Sequence, residues 1–455
     1  MRTSKRNPLV SAIIIVVTIV LCVQAANFVL SPYGLKSQVV WDEFRKQDNL
    51  DAVCLGSSLA ARAYDPSIVD SLCGSTSFNM STPSQYAAES LIGLREAIEH
   101  HQLKRVFYGV DYANFIGSED LYPARTFENE KWKGDGFFER FSDLSYMLED
   151  ADWLFDHRSL NWLFPWTESQ PTGGIMGLFR NAKMRIDGTT LIEAAEVNEK
   201  GWHYYGQGYG NYTHVFDYNG DKQENLNHME LFDKRPINER KLKNLADMAD
   251  LCAANNVEFV VFVPALPEYS LISLKNHYVD ISSRIRETVE SHGGAFYDFN
   301  LASPSFYQPL ESHFDDFQHY NYAGGQAFST ALAKLLAAHD AGQDVSSWFT
   351  TYEQRIASID HISTVSITDH PIKGGLELHA TCFAGTNVEV EYQFQAKRDW
   401  EADDSYETIR DWSGQATCEF KPKKPGRYVV RVNVRQVGSD DDYERRTQHV
   451  VRIKR

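Results

Sequence analysis

Three spacings of apolar residues succeed one another along the chain. Residues 7–35 carry no charge, and the stretch from Pro8 to Leu30 is mostly apolar. At 1.5 Å per residue a helix over 8–30 is long enough to cross a bilayer core of about 30 Å. From residue 50 to about 340, short apolar runs alternate with stretches of helical period. Strands are expected at 51–55, 105–111, 257–263 and 295–299. Helices are expected at 87–100, 240–255, 281–292 and 323–338; in the first, Ala88, Leu91, Ile92, Leu94 and Ile98 share one face. Such alternation predicts an α/β fold, a parallel sheet covered on both faces, with ligands at the carboxyl ends of its strands. After residue 365 the period falls to two, as in Leu376, Leu378 and Ala380 or in Tyr428, Val430, Val432 and Val434. Gly374-Gly375, Pro425-Gly426 and Gly438-Ser439 punctuate these runs, and the pattern predicts an all-β sandwich.

The chain therefore divides into a basic stub (1–7), a transmembrane anchor (8–30), a stalk or first helix (31–49), an α/β domain (50–340), a linker (341–364) and a β-sandwich (365–455). An insertion at about 120–235 breaks the α/β alternation. It is rich in aromatics: Trp153, Trp162, Trp166, Trp202, Tyr204, Tyr205, Tyr209 and Tyr212. Interruptions this long usually have a function. The aromatics either pack an irregular subdomain or stack on sugar rings.

Arg2, Lys5 and Arg6 precede the apolar run, and the next charge is Lys36. The basic flank stays on the cytoplasmic side, which places the rest of the chain outside a cell membrane that it crosses once. Val23-Gln24-Ala25 offers a signal-peptidase site, but the apolar stretch continues beyond it through Phe28, Val29 and Leu30, which favours an uncleaved anchor. The net charge of −17 argues against nucleic acid as a partner. Six cysteines are present, one of them inside the span. Cys382 and Cys418 fall in strand-like runs and are either a disulfide or two buried thiols.

Two short motifs carry chemistry. Gly56-Ser57-Ser58 ends the first strand, where a serine hydroxyl meets the sheet's carboxyl edge beside a helix N-terminus that favours developing negative charge. Far downstream, Asp316 and His319 stand three residues apart, a spacing that places both on one face of a helical turn. His319 is suited to take the serine proton while Asp316 fixes its tautomer. Each motif alone has a plainer reading as a helix cap; together they form a nucleophile–base–acid set. No phosphate-cradling glycine loop or Cys-x-x-Cys occurs. His100-His101 are read as solvated, and Asp217 to Glu224 as a turn. No metal or cofactor is expected.

The order of these motifs resembles the SGNH (GDSL-type) hydrolase superfamily. The resemblance implies a three-layer αβα domain with Ser58 as nucleophile, His319 as base and Asp316 as orienting acid. Phe78-Asn79-Met80-Ser81 and Asp111 fall where that family places its oxyanion donors, so Asn79, Ser81 and Asp111 are the candidates here. An ionised Asp111 in place of the usual Asn would repel an oxyanion. More narrowly, residues 50–115 and 240–338 resemble the membrane-anchored SGNH proteins of bacterial envelopes, which are associated with O-acylation of cell-wall polymers. That implies an esterase or O-acyltransferase acting on cell-envelope polysaccharide, with an acyl donor and a polytopic membrane acyltransferase as expected partners. The competing expectation is an inactive SGNH-fold surface protein that binds glycan or an assembly partner. The final unit resembles the triple tyrosine motif domain, an immunoglobulin-like sandwich, through Tyr392, Phe394, Trp400, Trp412, Phe420 and Tyr428.

Overall fold

A computed structural model describes residues 8–116, 171–217 and 236–454. Trp153, Trp162 and Trp166, and the turn beyond Asp217, lie outside the described residues. The first helix, α1 (Pro8–Leu30), has its apolar side chains exposed along its length. It is one helix long and apolar enough to cross a membrane. Within residues 31–49, read as a stalk or first helix, lies α2 (Lys36–Phe44). Its Val40, Trp41 and Phe44 are buried in the α/β core, which explains why this polar-looking segment does not stand off as a tether.

Five strands build the central sheet: β1 (Ala52–Gly56), β2 (Ser77–Asn79), β3 (Arg105–Gly109), β6 (Glu258–Val263) and β7 (Ala295–Asp298). They lie in the order β2-β1-β3-β6-β7 and are parallel throughout. Alternate side chains feed two cores. Val53, Leu55, Val106, Tyr108, Phe259 and Val261 pack on one face, against α2, α5 (Ala87–His100), α8 (Glu239–Ala254) and α9 (Glu268–Ser291). Ala52, Cys54, Phe107, Val260 and Phe262 pack on the other, against α4 (Pro66–Cys73) and α10 (Tyr322–Asp340). The result is a three-layer αβα domain, as the alternation predicts. The three-residue β2 is too short to show a period of its own. Helix α9 begins thirteen residues before its expected start at 281, because Pro267 opens it and Tyr269, Leu271, Ile272 and Leu274 bury its first turns.

Residues 171–217 contribute α6 (Gly174–Ile186), α7 (Leu191–Asn198) and a hairpin of β4 (Trp202–Gly206) and β5 (Tyr209–Tyr212). Trp202 and Tyr209 are fully packed, so these two aromatics hold the insertion to the domain and are not open to a sugar. Tyr205 stacks on Tyr322 with ring centroids 4.1 Å apart.

After α11 (Tyr352–Ala357) the chain turns to antiparallel strands: β8 (Ile362–Ile372), β9 (Gly375–Ala384), β10 (Val390–Arg398), β11 (Glu407–Ser413), β12 (Thr417–Phe420), β13 (Gly426–Gln436) and β14 (Arg445–Ile453). They form two sheets that face each other as a sandwich, one in the order β11-β10-β13-β14 and the other β12-β9-β8. Ile367, Leu378, Phe394, Val430, Val432 and Val434 fill the space between them. Strand β11 escapes the period-two reading because no residue in it is fully buried. All six cysteines are unbridged. Cys418 pairs with Leu378 across the ladder, four residues from Cys382, or about 13 Å along a strand. A disulfide between them is out of reach.

Candidate active site

Small residues bring the nucleophile candidate to the sheet edge. Gly56, at φ +146°, lies so close to β3 that a Cβ would meet the Gly109 carbonyl oxygen at 2.5 Å. A Cβ on Gly109 would meet the Ala60 methyl at 2.4 Å. This contact seats α3 (Ser58–Ala63) directly over the ends of β1 and β3. Ser57 caps the helix, accepting a hydrogen bond from Leu59 N–H at 3.3 Å. Ser58 is its first residue, so its N–H has no acceptor within the helix.

The other half lies on the loop between β7 and α10. Asp316 and His319 do not sit on a helical turn, as their spacing suggests. Asp315 N–H donates to the His319 carbonyl at 2.9 Å, closing a tight loop. Asp316 Oδ1 accepts from the N–H groups of Gln318 and His319, both at 2.9 Å. The same carboxylate reaches His319 Nδ1, at 2.8 Å from Oδ2. His319 Nε2 then lies 2.7 Å from Ser58 Oγ. With Nδ1–H donating to Asp316, Nε2 is left to accept the serine proton. Burial pushes the Asp316 carboxyl up, but the His319 hydrogen bond, the attraction of the ring and the two backbone donors outweigh it. Its pKa is held well below the usual carboxylate range.

The three oxyanion candidates are all engaged. Asn79 is buried, and its Nδ2 donates to the Tyr64 carbonyl at 2.8 Å. Its Oδ1 accepts from Ser81 N–H at 3.0 Å. Asn79 and Ser81 therefore brace α3 against β2, and neither amide is free for a substrate. Asp111 Oδ2 accepts from Ser57 Oγ at 3.0 Å, which holds a carboxylate beside the Gly56-Ser57-Ser58 turn. The N–H of Ser58 is the donor that helix geometry leaves open there.

Several supporting residues were not read from the sequence. Arg62, one turn after Ser58, donates to Asp315 Oδ2 at 2.6 Å and so ties the serine helix to the His319 loop. The i+4 spacing was the available signal. His214 Nδ1 also meets Asp315, at 3.1 Å. Asn211 Nδ2 donates to the Arg62 carbonyl at 3.0 Å, so the β4–β5 hairpin props α3 from outside. On the opposite, amino edge of the sheet, Glu258, His339 and Asp340 cluster, with Arg105 paired to both carboxylates. That guanidinium supplies the positive charge that the acids require. His101 accepts from Leu50 N–H at 3.4 Å and does not pair with His100.

No family model matches the chain, and no curated protein matches it in sequence. Among solved structures it is similar to a protein of Bacteroides fragilis assigned as an acylhydrolase, with 9% identity and a TM-score of 0.31, over 66% of this chain and 94% of that one. It is also similar to a GDSL-like lipase of Bacteroides thetaiotaomicron, with 9% identity and a TM-score of 0.29, over 68% of this chain and 98% of that one. Likeness at this level is too distant to transfer a function, and the functional reading stands on the chain's own geometry.

Proposed function

We propose that the chain is an exported, membrane-anchored serine esterase or O-acyltransferase of SGNH type, acting on cell-envelope glycan. The observation that carries the reading is the unbroken relay from Ser58 Oγ through His319 to Asp316. Ser58 Oγ attacks an ester carbonyl as His319 Nε2 takes its proton, and Asp316 steadies the imidazolium that forms. The leaving alkoxide takes that proton from His319. Water, or a glycan hydroxyl, then attacks the acyl-serine as His319 takes its proton; the acyl–Oγ bond breaks, His319 returns that proton to Ser58 Oγ, and the acyl group leaves as acid or as a new ester. The Ser58 N–H serves the oxyanion. The apolar helix α1 supports the anchored, exported placement, with the basic stub inside. The sandwich, with its tyrosine-motif likeness, serves as the glycan-contacting or spacing unit, and a polytopic acyltransferase is the fitting acyl source.

The test is labelling of the full chain in detergent by a serine-reactive phosphonate, alongside hydrolysis of an acetyl ester. Both are expected for the wild type and lost in Ser58→Ala. Labelling that persists in Ser58→Ala, or a folded wild type that neither labels nor turns over, overturns the reading. The engaged state of Asn79 and Ser81 would then favour a binding protein on the same fold.

A further inference from the structure

Helix α6 carries an apolar stripe that stays exposed among the described residues. Ile175, Phe179, Ala182 and Ile186 fall at i, i+4, i+7 and i+11, one stripe along the helix. Ile175, Phe179 and Ile186 are 71%, 68% and 74% exposed, and neighbouring Met176 is 72% exposed. The helix contains Arg180, Lys183 and Arg185 and no acid, and Asp187 directly after it pairs with Lys183.

The opposite face of α6 is fixed to the end of α1. Asn181 is buried there, and its Nδ2 donates to the carbonyls of Val29 and Ser31 at 3.3 and 2.8 Å. Arg185 donates to the carbonyls of Ser31 and Pro32 at 3.0 and 2.9 Å. Its guanidinium also lies over the rings of Phe28 and Tyr33. The Val29 carbonyl belongs to the last turn of α1, which cannot pair it internally, and those of Ser31 and Pro32 follow the helix directly. If α1 spans the membrane, this last turn sits at the outer interface, where such groups need partners. A helix bonded to it lies at the same depth.

We propose that α6 is an interfacial helix, with its Ile175–Phe179–Ile186 stripe set into the outer leaflet of the bilayer and Lys183, at the flank of that stripe, exchanging its exposed Asp187 partner for a lipid phosphate. The inference rests on the reading of α1 as an anchor. It gives the α/β domain a second membrane contact, so the domain is laid on the bilayer and not swung from a flexible stem.

The experiment uses the full chain in vesicles of phosphatidylcholine and phosphatidylglycerol. An environment-sensitive fluorescent amino acid replaces Phe179, Ile15 or Val437 in separate samples. Quenching is compared between nitroxide-labelled acyl chains and aqueous iodide. At Phe179 lipid nitroxide is expected to quench several-fold more than at Val437, with iodide showing the reverse. If Phe179 behaves as Val437 while Ile15 is quenched from the lipid, the interfacial helix is refuted and the anchor stands. If Phe179 is shielded from both quenchers, a protein covers the stripe and the bilayer assignment fails. If Ile15 is not quenched from the lipid, the anchor fails and α6 with it.

Discussion

Ser58 Oγ and His319 Nε2 lie 2.7 Å apart, although the two residues stand 261 positions apart in sequence. Two devices hold that distance. The Gly56–Gly109–Ala60 contact fixes the start of α3, and the Arg62–Asp315 ion pair ties α3 to the loop that carries His319. Both partners of that ion pair are mostly buried, which makes it a geometric constraint more than a surface ornament.

Replacing Asp316 by Asn keeps the shape of the loop but removes the charge that orients the imidazole. The expected result is a fall in kcat of about 10³–10⁴-fold with KM little changed. Stability should respond with a definite sign. Because the folded state lowers the Asp316 pKa, its contribution is present above the unfolded value of about 4 and is lost as pH falls through the folded one. Thermal melting across pH should show wild type above Asp316→Asn near neutrality, with the gap closing in acid.

Asp111 places negative charge beside the turn where an oxyanion would form. Asp111→Asn retains an acceptor for Ser57 Oγ and removes that charge. Phosphonate labelling should then speed up by about tenfold, a barrier change of about 1.4 kcal/mol. A slower rate would give the carboxylate a supporting role.

Gly208, at φ +79°, abuts β2 so closely that a Cβ would lie 2.0 Å from the Asn79 carbonyl oxygen. Gly208→Ala should cost about 2–3 kcal/mol through strain and displacement of the β4–β5 hairpin. Denaturant melts would measure the loss, and activity should fall with it as Asn211 withdraws from α3.

Between the two folded parts, Glu268 receives Arg355 at 2.8 Å and His361 at 3.0 Å. The hydrogen bond to Glu268 raises the His361 pKa. Its stabilising contribution is therefore full below the unfolded value of about 6.5 and disappears as pH rises through the folded one. Comparing melts of wild type and His361→Gln, the difference should be larger near pH 5.5 than near pH 9.

Much of this molecule was legible because its signals are local. The uncharged run at 8–30, the alternation of period two and period 3.6, and the position of Gly56-Ser57-Ser58 at a strand end depend on neighbours in sequence. They sufficed for the αβα layer order and for the sandwich, and they singled out Ser58, Asp316 and His319, which the fold brings within hydrogen-bond reach of one another. The oxyanion candidates were less legible. Asn79 and Ser81 have suitable donors, but only their packed surroundings show those donors bound to Tyr64 and to each other.

The chain's own sequence determined which residues have the chemistry and which segments form strands and helices, since both depend on side-chain type and short-range spacing. Tertiary structure alone decided that Asp316 and His319 meet through a capped loop and not a helical turn. It also decided that Cys382 and Cys418 stay apart, that α2 joins the core, and that α6 docks on the end of α1. Those outcomes depend on close approach and on competition for hydrogen-bond partners between segments far apart in sequence, and a one-dimensional pattern does not contain that information.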